Sequence, residues 1–181
     1  MAKNIAIVYH SGFGHTAKLA GYIALGVSQV AEVEVYLLSV DNMDWDILAA
    51  ADAIIMGCPT YMGSASAPFK AFMDASSKVW SQQRWQGKLA AGFTNSGGLS
   101  GDKLAVLQQI HLFAMQHGML WVGMPLQPTG TSPEDLNRMG SYMGLMAQSD
   151  SAPVDITPPM GDLRTAEWFG EYVARTTLRL R

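Results

Sequence analysis

A short run of hydroxyl-bearing and glycine residues follows the first apolar segment of this 181-residue chain. The apolar segment Ile5–Val8 predicts a buried strand, and apolar residues recur at helical spacing between Ala17 and Val30. The run between them therefore lies at a strand-to-helix turn, where unpaired helix N–H groups and the helix dipole favour an anion. Glycines let the backbone approach a ligand closely, and hydroxyls add donors. The run is a candidate phosphate site formed by Ser11, Gly12, Phe13, Gly14, His15 and Thr16.

Three kinds of phosphate-binding loop and one ligand-free alternative can be compared with this turn. A P-loop requires a lysine that the turn does not contain. A dinucleotide-binding loop matches the two glycines and Ala17, but Asp41 comes late for the acidic residue that holds the ribose. A monophosphate loop with neutral donors, as in flavodoxin-like proteins, matches Ser11, Gly14 and Thr16. The remaining alternative is an ordinary turn that binds nothing.

Predicted strands alternate with predicted helices along the chain, which is typical of a parallel sheet with helices on both faces. The strands are predicted at Ile5–Tyr9, Val33–Leu38, Ala53–Gly57, Lys88–Phe93 and Met119–Met124. The helices are predicted from near Thr16 to Val30, at Trp45–Ala51, from near Pro68, over Asp102–His117 and from Asp162 onward, with a long loop at Pro125–Gly161. The pattern predicts an α/β, flavodoxin-like, doubly wound parallel sheet of five strands in the order 2-1-3-4-5, and a single domain over residues 1–181.

Two further clusters of small and polar residues follow the third and fourth predicted strands. In the predicted strand order, the carboxyl ends of strands one and three flank the switch point at which ligands bind in such sheets. Three clusters at one edge therefore predict a phosphorylated cofactor there. The second cluster comprises Cys58, Pro59, Thr60, Tyr61, Met62 and Gly63, and the third comprises Thr94, Asn95, Ser96, Gly97 and Gly98.

The composition excludes several classes of protein. A net charge of −3 argues against general affinity for nucleic acid. The single cysteine, Cys58, allows no internal disulfide and fits a reducing compartment. No apolar run reaches the ~18 residues of a membrane span, and we see no signal peptide, so we expect a cytoplasmic protein. No metal site is expected, because the histidines lack ligand spacing with acidic or thiol partners; they are His10, His15, His111 and His117.

Nearly the whole chain resembles the flavodoxin-like NAD(P)H:quinone oxidoreductases of the WrbA type. The turn from Ser11 to Thr16 resembles their phosphate loop, and Cys58–Gly63 stands where the family has Pro-Thr-Arg-Phe-Gly. Tyr61 therefore replaces an arginine and Met62 a phenylalanine. Further matches lie at Lys78–Trp80, Gly87–Ala90, Gln116–Met119, Ser141–Gly144 and Gly170–Ala174.

The resemblance implies an FMN-dependent enzyme that transfers electrons as hydride from NADH or NADPH to a small-molecule quinone. It implies a homo-oligomer, a dimer or a tetramer, with FMN bound by the three clusters. It also implies a substrate pocket formed by Trp80, Tyr61 and Met62, with His117 as the catalytic residue, from the same chain or a neighbouring subunit. The alternative for Trp80 is a position in the core or in an interface. The alternative for His117 is an ordinary histidine at a helix end. The alternative functions are a flavodoxin-type electron carrier, which the modest net charge disfavours, and a non-catalytic FMN-binding protein.

Overall fold

A parallel sheet forms the centre of the molecule. The computed structural model describes residues 2–180, so the ends of the predicted domain, Met1 and Arg181, lie outside the described residues. The strands are β1 (Lys3–Tyr9), β2 (Val33–Ser39), β3 (Ala53–Tyr61), β4 (Ser64–Ala65), β5 (Leu89–Ser96), β6 (Leu120–Trp121) and β7 (Leu145–Gln148). Their order β2-β1-β3-β5-β6 confirms the predicted order, since β5 and β6 are the fourth and fifth predicted strands.

Helices cover both faces of the sheet, as predicted. They are α1 (His15–Ser28), α2 (Trp45–Ala50), α3 (Ala67–Ala75), α4 (Ser77–Ser81), α5 (Lys103–Gln116) and α6 (Met160–Arg179). Alternate side chains of β1 enter opposite cores, because successive residues of a strand face opposite sides. Ile5 and Ile7 pack with α1 and α6, whereas Ala6 and Val8 pack with α2, α3 and α5. Burial on both faces explains why the strand is apolar throughout.

The position of the fifth strand is filled by two separate segments, which corrects the prediction of one strand at Met119–Met124. Leu120 and Trp121 of β6 pair with the start of β5, and β7 pairs with its end. Between them the chain leaves the sheet, where Met124 N–H donates to the Tyr142 carbonyl at 2.9 Å. Pro125 follows and has no N–H with which to continue a ladder. The predicted loop Pro125–Gly161 therefore contains β7.

Two segments predicted as loops continue as strands. β3 extends beyond Gly57 to Tyr61, and β5 extends beyond Phe93 to Ser96, with Cys58 paired to Thr94 in register. The turn after Tyr61 is tight because Met62 and Gly63 both have positive φ, and it leads directly into β4. Within residues 2–180, no helix is both long and apolar enough to span a membrane.

Two glycines allow α1 and α6 to pack closely. A Cβ at Gly170 would overlap the carbonyl oxygen of Ile23, and one at Gly26 would overlap the carbonyl oxygen of Glu167. The helices bring Leu19 and Phe169, both fully buried, into the same core. Their backbone contact therefore depends on the absence of side chains at these two positions.

We expect Gly170→Ala to lower the free energy of unfolding by about 3 kcal/mol, because the new methyl group meets backbone that cannot rotate away. Denaturant unfolding measures the effect. Gly21→Ala is the matched control on α1, since among residues 2–180 its Cβ position has no neighbour within 4 Å apart from adjacent residues and the backbone of its own helix. The control should gain about 0.5–1 kcal/mol from helix propensity. Equal effects at both positions would contradict the close-contact explanation.

Candidate functional site

A cavity of about 410 Å³ lies at the carboxyl edge of the sheet, where β1, β3 and β5 end. Its volume falls in the range of small-molecule and cofactor sites. The structure brings all three predicted clusters to it. The predicted residues that line it are Ser11, Phe13, His15, Thr16, Pro59, Tyr61, Asn95, Ser96 and Gly97.

The turn before α1 presents neutral donors to this cavity. Gly14 begins the helix with φ of 88°, a conformation that favours glycine. The Ser11 hydroxyl accepts the Ala17 N–H at 3.1 Å, which places Ser11 against the first turn of the helix. The N-cap residue, Gly14, has no side chain that could cap the helix, and no acidic residue occupies the first turn. Helix N–H groups and hydroxyls such as that of Thr16 therefore form an environment suited to an anion.

Two aromatic rings border the cavity beside this turn. The rings of Phe13 and Tyr61 meet edge to face, with centroids 6.5 Å apart. The Tyr61 hydroxyl lies 2.6 Å from where a Cβ at Gly12 would stand, so a side chain at position 12 would displace the Tyr61 ring. Burial raises the pKa of Tyr61 above its ordinary value, with a smaller contribution from Cys58, so the phenol stays protonated. Tyr61 therefore offers a neutral aromatic surface and a hydroxyl donor.

Several predicted residues support the cavity instead of lining it. Thr94 is fully buried, and its hydroxyl lies 2.7 Å from the Cys58 carbonyl and 2.8 Å from the Thr60 hydroxyl. These bonds hold β3 and β5 together beneath the site. Met62 is fully exposed at the tip of the turn. The predicted residues outside the lining are Gly12, Gly14, Thr60, Met62, Gly63, Thr94 and Gly98.

A fourth segment, Ser149–Ser151, lines the cavity and escaped the sequence interpretation. It follows β7, and the Ser149 hydroxyl donates to the Asn95 side chain at 2.9 Å. His15 Nε2 bonds to the Ala152 carbonyl at 3.0 Å, which joins this segment to the start of α1. The sequence does contain a signal for this segment, since Ser-Asp-Ser follows an apolar run just as the other three clusters do. It was missed because the apolar run fell within the predicted long loop.

Trp80 and His117 line a second cavity of about 280 Å³. α5 starts near the carboxyl edge, and its 14 residues carry the chain roughly 20 Å away before His117. A single chain therefore does not bring His117 to its own three clusters. The catalytic assignment of His117 stays a prediction, one that would require a neighbouring subunit.

His117 is almost fully buried and lies against Trp85 and Phe113, with ring centroids 4.4 and 4.7 Å away. Ser76 donates its hydroxyl proton to the Met73 carbonyl, so His117 Nε2 donates to the Ser76 oxygen at 2.9 Å. The other ring nitrogen, Nδ1, has no hydrogen-bond partner in the described part of the chain. Burial lowers the pKa of His117 to about 4, so the ring is neutral at pH 7.

Cys58 is fully buried, and burial raises the pKa of its thiol to about 11. The group is therefore a thiol at neutral pH and acts as a small packing residue. Among residues 2–180, no three or more His, Cys, Asp or Glu side chains cluster closely enough to hold a metal ion.

We expect the buried His117 to make the protein less stable in acid. Unfolded His117 takes up a proton below about pH 6.5, whereas the folded form resists protonation down to about pH 4. Between pH 7 and pH 5 this difference removes about 2 kcal/mol from the free energy of unfolding. His117→Gln should lose that part of the pH dependence in denaturant unfolding. His111→Gln, on the same helix, is the control and should retain it; identical pH profiles for both variants would refute the assignment.

Comparison with known proteins places this geometry among flavodoxin-like proteins. Residues 45–126 match the family model described as NADPH-dependent FMN reductase. The chain is 41% identical to Flavodoxin FldP of Pseudomonas aeruginosa, over 97% of this chain and 96% of the relative. It is 30% identical to an NAD(P)H dehydrogenase (quinone) of Geobacter sulfurreducens, over 98% of each.

A solved structure agrees along the full length. The flavodoxin, WrbA-like protein from Agrobacterium tumefaciens superposes with a TM-score of 0.81 at 40% identity, over 99% of this chain and 100% of that one. The chain belongs to the WrbA-type family of flavodoxin-like NAD(P)H:quinone oxidoreductases.

Proposed function

We propose that residues 1–181 form a single FMN-binding domain that transfers two electrons from NADH or NADPH to a small-molecule quinone. One observation carries the proposal: a helix N-terminus and the ends of β3 and β5 meet in one cavity at the switch point. The relatives named NAD(P)H dehydrogenase (quinone) and the matched family of NADPH-dependent FMN reductases support the electron donor and acceptor. We further propose that the protein is cytoplasmic, because its single cysteine allows no internal disulfide and so fits a reducing compartment.

The donors at the start of α1 fit the phosphate of FMN. A phosphate monoester needs several N–H and O–H donors close together, and the hydroxyls of Ser11 and Thr16 stand beside the backbone of the first helical turn. The Lys18 ammonium donates to the Val154 carbonyl, which leaves the phosphate to neutral donors. We assign the FMN phosphate to Ser11, Gly12, Phe13, Gly14, His15 and Thr16.

The flat ring system of FMN fits between the two remaining clusters. FMN, when bound, supplies the redox chemistry, and the protein supplies placement and electrostatics. Tyr61 and Phe13 offer aromatic surfaces, and Asn95, Ser96 and Gly97 line the same cavity. We assign ring and ribityl contacts to the cavity-lining Pro59, Tyr61, Asn95, Ser96 and Gly97, and a supporting role around them to Thr60, Met62, Gly63, Thr94 and Gly98. Thr60 and Thr94 act here by joining β3 to β5 beneath the ring.

A second candidate function is electron transfer to a protein partner, as in a flavodoxin. Two observations favour it. The alignment with Flavodoxin FldP runs over 179 positions, close to the length of this chain, whereas the alignment with the quinone dehydrogenase of Geobacter sulfurreducens runs over 201. Tyr61 also replaces an arginine of the related family motif, and this change removes a positive charge suited to the phosphates of a nicotinamide nucleotide. A non-catalytic FMN-binding protein is the third candidate.

We expect the purified protein to retain added FMN after gel filtration. Under anaerobic conditions, NADPH or NADH should then bleach the flavin absorbance, and benzoquinone should restore it. If neither nucleotide bleaches the flavin absorbance, the oxidoreductase proposal is contradicted and the electron carrier is favoured.

Thr16→Glu should abolish flavin retention, because its carboxylate repels the phosphate. Ser28→Glu, at the exposed far end of α1, is the matched control and should retain flavin as wild type does; equal retention by both variants would refute the phosphate placement.

We also propose a homo-oligomer, a dimer or a homotetramer, in which Trp80 and His117 of one copy complete the substrate pocket of another. Trp80 is about half exposed and lies beside His117 in the second cavity. Light scattering should therefore give at least twice the 19.6 kDa chain mass. Trp80→Ala should lower quinone turnover at least tenfold while FMN retention is unchanged. A monomer with wild-type turnover in Trp80→Ala would contradict the shared pocket.

A further inference from the structure

Lys103 is an unusual residue for its position. It is the first residue of α5, and its side chain is fully buried. Both features disfavour a charged lysine, because burial removes hydration and a helix N-terminus already carries partial positive charge. Burial lowers the pKa of the amine to about 8, so the group still carries a proton at pH 7 in most molecules. A lysine kept at such a place needs a compensating interaction.

The compensation comes from the segment Gly97–Leu99, which follows the cavity-lining end of β5. The Lys103 ammonium donates to the carbonyl oxygens of Gly98 and, at 3.3 Å, Leu99. The Gln148 side-chain amide donates to the Gly97 carbonyl at 3.0 Å. In a trans peptide, the N–H points away from the preceding carbonyl. Anchoring the Gly97 and Gly98 carbonyls therefore turns the N–H groups of Gly98 and Leu99 away from the anchoring groups.

The charges near Lys103 leave a net positive charge behind this segment. Asp162 favours the protonated amine and Arg138 opposes it. These two residues pair with each other, with Arg138 Nε and Asp162 Oδ1 2.8 Å apart. Within the described ranges, no carboxylate oxygen lies within 4.0 Å of the Lys103 amine. Asp150 in the cavity lining and Asp102 beside Gly63 are acidic groups that work against this field.

We propose that Lys103 is a positioning residue that favours the reduced form of FMN in the first cavity, by orienting the Gly97–Leu99 amides and placing a positive charge behind them. The inference rests on the proposed function. Two-electron reduction with uptake of one proton leaves FMN with one additional negative charge. Fixed N–H donors and a nearby buried cation bind such a charge without reorganisation. Reduced FMN should therefore bind more tightly relative to oxidised FMN than it would without Lys103.

The test compares dissociation constants of wild type and Lys103→Met for oxidised FMN and for dithionite-reduced FMN, under anaerobic conditions. We expect the ratio of the two constants to shift at least tenfold against the reduced form, equivalent to a two-electron potential lower by about 30 mV. Lys88→Met is the matched control. Lys88 also donates to two backbone carbonyls, those of Ala49 and Ala51, but at the opposite edge of the sheet. Its ratio should stay within twofold of wild type.

A second variant separates folding from electrostatics. Lys103→Gln keeps N–H donors for the two carbonyls but removes the charge, and thermal unfolding of the flavin-free proteins checks that each variant folds. Its ratio should also shift against the reduced form. An equal loss of affinity for oxidised and reduced FMN, or no loss for either, would overturn the inference. A lysine with a purely structural role would affect the binding of both forms equally. Wild type that binds neither form would overturn the proposed function itself, and the inference with it.

Discussion

The buried ion pair between Arg138 and Asp162 holds together the parts of the cavity that are far apart in the chain. Its side chains are 6% and 3% exposed, and the guanidinium meets both carboxylate oxygens. Such burial is tolerated only when the remaining donors and acceptors are also satisfied. Gln148 meets this need: its N–H donates to Asp162 at 2.8 Å and its side-chain oxygen accepts from Arg138 at 3.0 Å. The pair thereby fixes β7 against α6, and with it the Ser149–Ser151 wall of the cavity.

Three lysines around the sheet donate to backbone carbonyls of loops and of a helix end, whereas Lys3 and Lys70 pair with carboxylates. Lys18 donates to Val154, Lys88 to Ala49 and Ala51, and Lys103 to Gly98 and Leu99. Each bond satisfies a carbonyl that turns away from regular secondary structure, where a missing partner is costly. At the cavity this arrangement leaves amides, hydroxyls and aromatic rings as most of the lining, together with the acidic Asp150. The neutral donors among them suit a ligand that brings its own negative charge.

Local patterns predicted most of the fold and most of the candidate site. The apolar runs and their spacing indicated β1, β2, β3 and β5 and the helices α1, α2, α5 and α6 to within a few residues. The switch-point rule then placed the clusters around Ser11, Pro59 and Asn95 at one edge. The errors lay where strands continued through polar residues, because each such residue is held in the sheet by a partner strand: Thr60 pairs with Ala65, and Thr94 pairs with Cys58. No property of either segment alone shows that partner.

The sequence by itself determined the parallel sheet, the order of its strands and the candidate phosphate-binding turn. Strands buried on two faces and helix N-termini can be recognised from local sequence patterns. Only the tertiary structure decided that β7 completes the fifth strand position and brings Ser149 to the cavity. It also decided that His117 lies near the opposite edge of the sheet and that Lys103 is buried behind Gly98. These placements depend on strand register and on packing between segments that are distant in the chain. Such contacts produce no periodic pattern in the sequence.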